Sequence, residues 1–517
     1  MTHELIAAVD LGSNSFRLQV GRVVDHQVYA QDSLKEPVRL AAGLRHNRVL
    51  DAAAQRRALA ALTRFGERLR GFLPETVRVV ATDTFRVARN AAHLIDKGQQ
   101  ALGFPIEVIA GREEARLIYL GVVHTLPDPA RRQLVVDIGG GSTEFIVGQG
   151  YAPLELESLH LGCVSHTLQY FSSGSVSKKN MKEAELAASN ELETIIATYR
   201  KLGWQRAIGS SGTAKAIAEL LHLNGLNGLN EHNEPACGAG EISRAGLERL
   251  KALLFRAGHV DHLHLPGLRA DRAAVLPGGL AILSAVFAGF ELECMTFSEG
   301  ALRHGVLHDL VGRHHHDDMR DVTVSQFMQR YVVDRRQAAR VADSALALLQ
   351  QLLPQEDTGH EMEAQFLTWA VRLHEIGISV AHSGYHKHGA YILGNADMPG
   401  FSRQDQVRLS GLVLCHRGKL ASALEAMPDA RDRRMIFCLR LAVLLHRARI
   451  EAPGPDVRVS LTKHGMTLTL ATAGLAAPGL TMASLEEEVS QWNALDVPMK
   501  IRHGKCCRSG AAAPGTR

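Results

Sequence analysis

The chain opens with five apolar residues, 5–9, that end at Asp10. After Asp10 come Gly12, Ser13, Asn14 and Ser15, and then a second apolar strand over 16–20. Two short apolar runs around residues that tolerate unusual backbone angles predict a β-hairpin with a donor-rich turn. The same grammar returns over 134–136, Asp137, then Gly139, Gly140, Gly141 and Ser142, then 145–147. Laying one on the other pairs Asp10 with Asp137, Gly12 with Gly139 and Ser15 with Ser142, a constant offset of 127 residues. An offset of about one domain length predicts a duplicated domain.

Between the two turns the hydrophobic period alternates. It predicts helices over 50–70, 88–100 and 113–124 and strands over 77–81 and 106–109. Alternating helices and strands predict an α/β sheet. Long helices follow near 180–200 and 243–257, separated by a polar loop over 224–240 that contains Asn-Gly-Leu-Asn-Gly-Leu-Asn. A polar junction, His314, His315, His316, Asp317 and Asp318, follows Gly312. Helical periodicity then dominates, over 337–353, 364–374, 404–414 and 435–448, with short strands at 457–461 and 466–470. The Gly/Ala/Pro-rich stretch over 507–517 reads as disordered. The division expected is lobe I over 1–127, lobe II over 128–312, a helical domain over 313–450, a small α+β module over 451–505 and a tail over 506–517.

Composition changes this picture little. A chain of 517 residues is too long for one core. Its 46% hydrophobic and 22% charged residues are ordinary for a globular protein, and a net charge of +4 gives no reason to expect a nucleic-acid partner. Cysteines 163, 237, 294, 415, 438, 506 and 507 show neither a disulfide framework nor a CxxC zinc pair. With no signal-peptide pattern at residue 1 and no apolar run of about 18 residues, the expected compartment is the cytoplasm, with peripheral membrane association left open.

Two glycine- and hydroxyl-rich turns on two similar lobes would make a phosphate clamp, because backbone N–H groups approach phosphate oxygens where no side chain obstructs them. Each turn follows an aspartate, and Asp137 and Glu144 flank the second turn from opposite strands. These carboxylates suit a hard divalent cation. Asp137 equally suits a cap on the turn's backbone.

Several segments, taken in order, resemble the exopolyphosphatase and guanosine pentaphosphate phosphohydrolase family. They are Ala8-Val9-Asp10-Leu11-Gly12-Ser13-Asn14-Ser15-Phe16, Gly111-Arg112-Glu113-Glu114-Ala115-Arg116, Asp137-Ile138-Gly139-Gly140-Gly141-Ser142-Thr143-Glu144, Gly209-Ser210-Ser211-Gly212-Thr213 and Gly300-Ala301-Leu302-Arg303-His304-Gly305. His382-Ser383-Gly384-Tyr385-His386-Lys387-His388 resembles the long bacterial exopolyphosphatases. The resemblance implies two actin-like (ribonuclease H-like) lobes, then an all-α HD-like domain and a small C-terminal α+β module. It also implies Glu114 as general base, magnesium held by Asp137, Glu144 and Asp10, potassium as a further cation, and a homodimer. Local pattern agrees on Glu114, which shares a helix face with Leu117 and Ile118, whereas Glu113 pairs with Arg116 at i+3 and suits a solvated surface. A carboxylate on an apolar face loses hydration and gains basicity. Phosphate contacts are expected from the two turns and from Gly209, Ser211, Gly212, Thr213, Lys215, Arg17, Arg86 and Arg303.

The expected reaction is magnesium-dependent, processive removal of terminal phosphate from inorganic polyphosphate. The alternative substrate is guanosine pentaphosphate, and a different class is a non-enzymatic, nucleotide-dependent actin-like scaffold. His374-Glu375 resembles the His-Asp pair of metal-dependent phosphohydrolases with glutamate in place of aspartate. With His382, His386, His388 and His416 it reads either as a second metal centre or as a relict scaffold whose Lys387, Arg417 and Lys419 hold a long polyanion.

Overall fold

The computed structural model describes residues 4–24, 27–227, 237, 240–314, 318–353, 360–450, 457–462, 465–470, 478–495 and 497–503. His315, His316, Asp317 and the 506–517 tail, with Cys506 and Cys507, lie outside the described residues. The chain divides into two compact units, residues 1–319 with 399–403, and 320–398 with 404–517.

In the first unit two sheets repeat one plan. β1 (Glu4–Leu11), β2 (Phe16–Val24) and β3 (Gln27–Glu36) form an antiparallel meander. β4 (Val77–Ala81) returns parallel to β1 on its other side, with β5 (Glu107–Val108) beyond it. The second sheet repeats this with β6 (Arg132–Ile138), β7 (Thr143–Gln149) and β8 (Ala152–Leu159) as the meander. β9 (Arg206–Ser210) lies parallel to β6, followed by β11 (Cys294–Phe297), with β10 (Glu241–Ser243) antiparallel at the edge. This doubled arrangement has the actin-like architecture, and it accounts for the offset of 127 residues.

Strands buried on both faces read as continuous apolar runs. β4 is buried along its whole length, and its bounds coincide with the expected strand. β3 carries no such pattern because nearly all of it is exposed at the sheet edge. The sequence therefore announced no strand there.

Two helices, Gly111–Val123 and Leu302–His314, pack closely where Gly121 and Gly305 meet. A Cβ at Gly305 would fall 1.7 Å from the Leu117 carbonyl oxygen. Beside this crossing lies a buried ion network. Asp309 accepts from Arg78 at 2.6 Å, Arg116 at 2.5 Å and Arg313 at 3.1 Å. Arg116 also grips Glu113 at 2.7 and 2.8 Å, and Arg78 reaches Glu107 at 3.1 Å. Glu113 further accepts the Gly400 N–H at 2.9 Å. The i+3 pair is thus formed, but Glu113 is only 2% exposed, so the solvated surface expected for it is corrected. The helix is nearly all buried, and Glu113 in its first turn points into the ion network.

Cys237 and Cys294 form a disulfide that joins the loop before β10 to the start of β11, a pairing their spacing did not reveal. Cys163, Cys415 and Cys438 are buried and stand in no disulfide.

The second unit contains helices Arg335–Leu352, His360–Leu373, Tyr385–Asn395, Arg403–Cys415 and Ala430–Leu445 among others. It also contains a three-stranded sheet of β12 (Val457–Thr462), β13 (Gly465–Leu470) and β14 (Met499–His503). Helix Pro478–Asn493 lies between the parallel strands β13 and β14, as a parallel pair requires. Among the described residues no helix is long and apolar enough to cross a membrane.

Removing Asp309 leaves the buried Arg78 and Arg116 with Glu107 and Glu113 but without the carboxylate they share, so the network carries excess positive charge in the interior. Asp309→Ala is expected to lose about 3–5 kcal/mol of stability, the usual result of breaking a buried ion pair from one side, read by denaturant titration. The three guanidiniums hold the Asp309 carboxyl far below its ordinary pKa, against its desolvation. With the folded pKa depressed, the contribution is present above the unfolded value of about 4 and is lost as pH falls below it. The stability gap between parent and variant should therefore narrow toward acid.

Candidate active site

In open sheets ligands bind beyond the carboxyl ends of parallel strands, and both aspartates sit there. Asp10, at the end of β1, pairs across its hairpin with Arg17, and Asp137, at the end of β6, pairs with Glu144. A cavity of about 260 Å³ lies between the two turns. It is lined by Gly12, Ser13, Asn14 and Ser15 from one lobe and by Gly139, Gly140, Gly141 and Ser142 from the other. A Cβ at Gly141 would lie 2.0 Å from Asp83 Oδ2, so only glycine lets the second turn come this close to the first lobe. The third wall is the start of helix Ser211–Leu223. Ser211 turns the chain into it at a φ of +79°, a conformation that costs a side-chain-bearing residue energy and clusters at functional sites. The Ser211 and Thr213 hydroxyls donate to the Ile138 carbonyl at 3.0 and 3.1 Å, which ties this wall to β6.

Electrostatics divides the carboxyl groups. Burial raises Asp10 to about 6 against the pull of Arg17 and Arg303. Burial likewise raises Asp137 to about 6, opposed by the Ser210 hydroxyl and the same two arginines. Glu114 is raised to about 7 by burial, in spite of Arg86, whose Nη1 lies 2.7 Å from Oε2. Glu144 is raised well above its ordinary value by burial, then by repulsion from Glu114 and Asp137. The guanidiniums thus leave the cluster short of positive charge, and Asp83 Oδ1 is buried without a hydrogen-bond partner. An all-oxygen, under-compensated donor set fits magnesium. Among the described residues the only three ligand atoms within 4.8 Å of one another belong to Cys237, Glu241 and Cys294. Asp10, Asp137 and Glu144 therefore form no closed cage, which suits an ion that keeps its waters and takes one or two carboxylates plus phosphate oxygens.

Comparison with known proteins bears on this geometry. Residues 19–314 match the model of the Ppx/GppA phosphatase family and residues 319–489 that of "Ppx/GppA phosphatase, domain III". The chain belongs to the Ppx/GppA phosphatase family. It is 37% identical over 499 residues to a guanosine-5'-triphosphate,3'-diphosphate pyrophosphatase of Vibrio cholerae, across 96% of this chain and 98% of that protein. It is 38% identical over 491 residues to the Aliivibrio fischeri protein of the same name, across 94% and 96%. A crystal structure of an exopolyphosphatase from Cytophaga hutchinsonii shares the fold at a TM-score of 0.53 and 24% identity, covering 60% of this chain and 98% of that one.

Most residues expected in this Ppx/GppA cleft line one cavity: Asp10, Asp137, Glu114, Arg17, Arg303, Lys215, Ser211, Gly212, Thr213 and both turns. Three expected residues stand outside the lining. Arg86 lies behind Glu114, holding it and the Ile109 carbonyl. Glu144 is 1% exposed and accepts from Ser158 Oγ at 2.8 Å. Gly209 packs against Met295 and Ala214. The sequence reading missed Thr82, Asp83, Arg272, Ser298 and Glu299, all of which line the cavity. Thr82 and Asp83 follow β4 directly, so the rule that placed Asp10 and Asp137 at strand ends would have found them. Lys215 Nζ pairs with Glu299 at 2.7 Å.

In the second unit His374 and His416 each bond, through Nδ1, a carbonyl in the last turn of the helix just before them, and Glu375 pairs with Arg449. The carboxylate standing in the His-Asp position is thus occupied by a guanidinium.

If Glu114 is the base, Glu114→Gln should cut turnover about 10²–10⁴-fold, the usual share of general-base catalysis, with substrate binding retained. The base must be deprotonated, so the parent's rate should rise with pH through about 7 and the variant should lose that limb. A variant with the same pH profile removes Glu114 from the chemistry.

Proposed function

We propose that the chain hydrolyses the terminal phosphoric anhydride of guanosine 5'-triphosphate,3'-diphosphate, leaving the tetraphosphate. The observation that carries the chemistry is Glu114, a buried carboxylate raised to about 7 that faces two glycine turns across one cavity. The substrate reading is supported by relatives of that name that align along 94% or more of the chain. Polyphosphate, the leading expectation from sequence, takes second place. It keeps support because both turns offer groups that recognise phosphate and neither offers a base.

The turns and the start of helix Ser211–Leu223 hold the phosphate chain through backbone N–H groups. Arg17 and Arg303 face the terminal phosphate, where guanidinium forks match its oxygens. Glu114 accepts a proton from water as that oxygen bonds to phosphorus and the bridging P–O bond breaks, with the electron pair leaving on the shortened nucleotide. Arg86 orients the carboxylate. Magnesium would be held by Asp137 and Asp10, with Glu144 behind them, and would supply neutralisation of phosphate charge. A non-enzymatic scaffold would need the turns but not a base of raised pKa, so Glu114 argues against that class.

Steady-state kcat/KM on guanosine pentaphosphate and on polyphosphate, measured side by side, tests the substrate reading. A preference for the nucleotide is expected, and a preference of tenfold or more for polyphosphate restores the other reading. Asp137→Ala should lose activity that excess magnesium partly restores. Superimposable magnesium titrations of variant and parent would remove Asp137 from the ion's surroundings.

A further inference from the structure

The second unit contains a larger cavity than the cleft, about 770 Å³, built wholly from its own residues. We propose that it is a binding site for a small phosphorylated molecule of the nucleoside monophosphate class. It opens between the loop after helix Arg403–Cys415 and the helices Ala430–Leu445 and Pro478–Asn493, and its volume is that of a ligand pocket rather than a packing defect.

Charge sets one end of the ligand. Four cations line the cavity, Arg417, Lys419, Arg440 and Arg447, against two carboxylates, Glu487 and Glu488. Arg440 is already committed. It forms a two-pronged pair with Glu488 at 2.6 and 2.7 Å and donates to the carbonyls of Cys415 and Gly418 at 2.9 and 3.2 Å. That framework fixes the 416–419 loop. Arg417 is held over the Tyr385 ring, 4.7 Å from its centroid. Among the described residues Arg417, Lys419 and Arg447 have no carboxylate partner, so the exposed rim presents a localised positive charge suited to a phosphate.

His416 sets the other end. It lines the cavity, is 2% exposed, and its Nε2 has no hydrogen-bond partner. Nδ1 lies 2.5 Å from the Val413 carbonyl, which only accepts, so Nδ1 carries the hydrogen. Burial holds the imidazole neutral, leaving Nε2 a lone-pair acceptor that calls for an N–H or O–H donor, not for phosphate oxygen. Tyr385, Leu420, Val443 and Leu444 add aromatic and apolar wall. An unbroken phosphate chain would leave that wall unmatched. A planar, donor-bearing body with one phosphate group matches each part.

The test uses the full-length chain with its cleft filled by a methylene-bridged triphosphate, and measures calorimetric binding of guanosine and adenosine monophosphates. One nucleotide per chain is expected to bind, weakened at least tenfold in the charge-reversed Arg417→Glu/Arg447→Glu chain. In His416→Phe, which keeps the ring but loses the acceptor, it should weaken about tenfold, the effect of one lost hydrogen bond to a buried group. Because the two arginines are exposed, their variant should melt with the parent. An 8-azido nucleotide should label peptides containing 416–420 or 443–447, which gives a reading even if His416→Phe fails to fold. No binding once the cleft is filled, binding indifferent to the arginine reversals, or occupation of this cavity by the triphosphate itself would each overturn the proposal.

Discussion

The chemistry of this protein depends on how fully each buried carboxylate is answered by positive charge. Glu113 and Glu114 are neighbours on one helix, both nearly inaccessible to water. Glu113 accepts two bonds from Arg116 and one from the Gly400 N–H, within a network that also holds Asp309, Arg78 and Arg313. Glu114 has Arg86 alone and faces repulsion from Asp83 and Asp10. The first is therefore a structural anchor, and the second, left with a raised pKa, is the group we propose as the base. The anchor matters to the base, because the network fixes the helix from which Glu114 projects.

The same principle runs through the cleft. Duplication of a strand–Asp–glycine unit brings two aspartates to one cavity, where burial raises the cost of each charge and Asp137 adds to that of Asp10. Such a cluster is stable when it receives cations or a substrate carrying them, and that demand links the fold to phosphate chemistry. The glycines give the turns their mutual approach, and the strained Ser211 brings the start of its helix to the same space. The site is a consequence of two lobes meeting.

The family assignment and the geometry speak to different questions. Membership in the Ppx/GppA phosphatases rests on similarity along nearly the whole chain. The division of labour that we propose among Glu114, Arg86 and the aspartates rests on distances and burial. Substrate choice lies between them, since the phosphate-holding parts are common to both candidate substrates. The second unit, whose His-Asp remnant is occupied by Arg449, contributes a cavity of different chemical character.

By itself the sequence determined the repeated turns, their spacing, the strand ends that carry Asp10 and Asp137, and the helix bearing Glu114. These are local patterns, written in residues a few positions apart. The buried character of Glu113 was not legible, because its surroundings come from residues distant in the chain; Asp309 lies 193 positions from Arg116 and 231 from Arg78. Nor was the withdrawal of Glu144 and Arg86 behind the cavity wall, or the arrival of Arg272 and Glu299 on it. Periodicity tells which face of an element is apolar, and only the packing of other elements against that face decides which charges lose water. Both glutamates of this helix lose water, and what separates them is that Arg116 and the Gly400 N–H answer Glu113 whereas Arg86 alone answers Glu114.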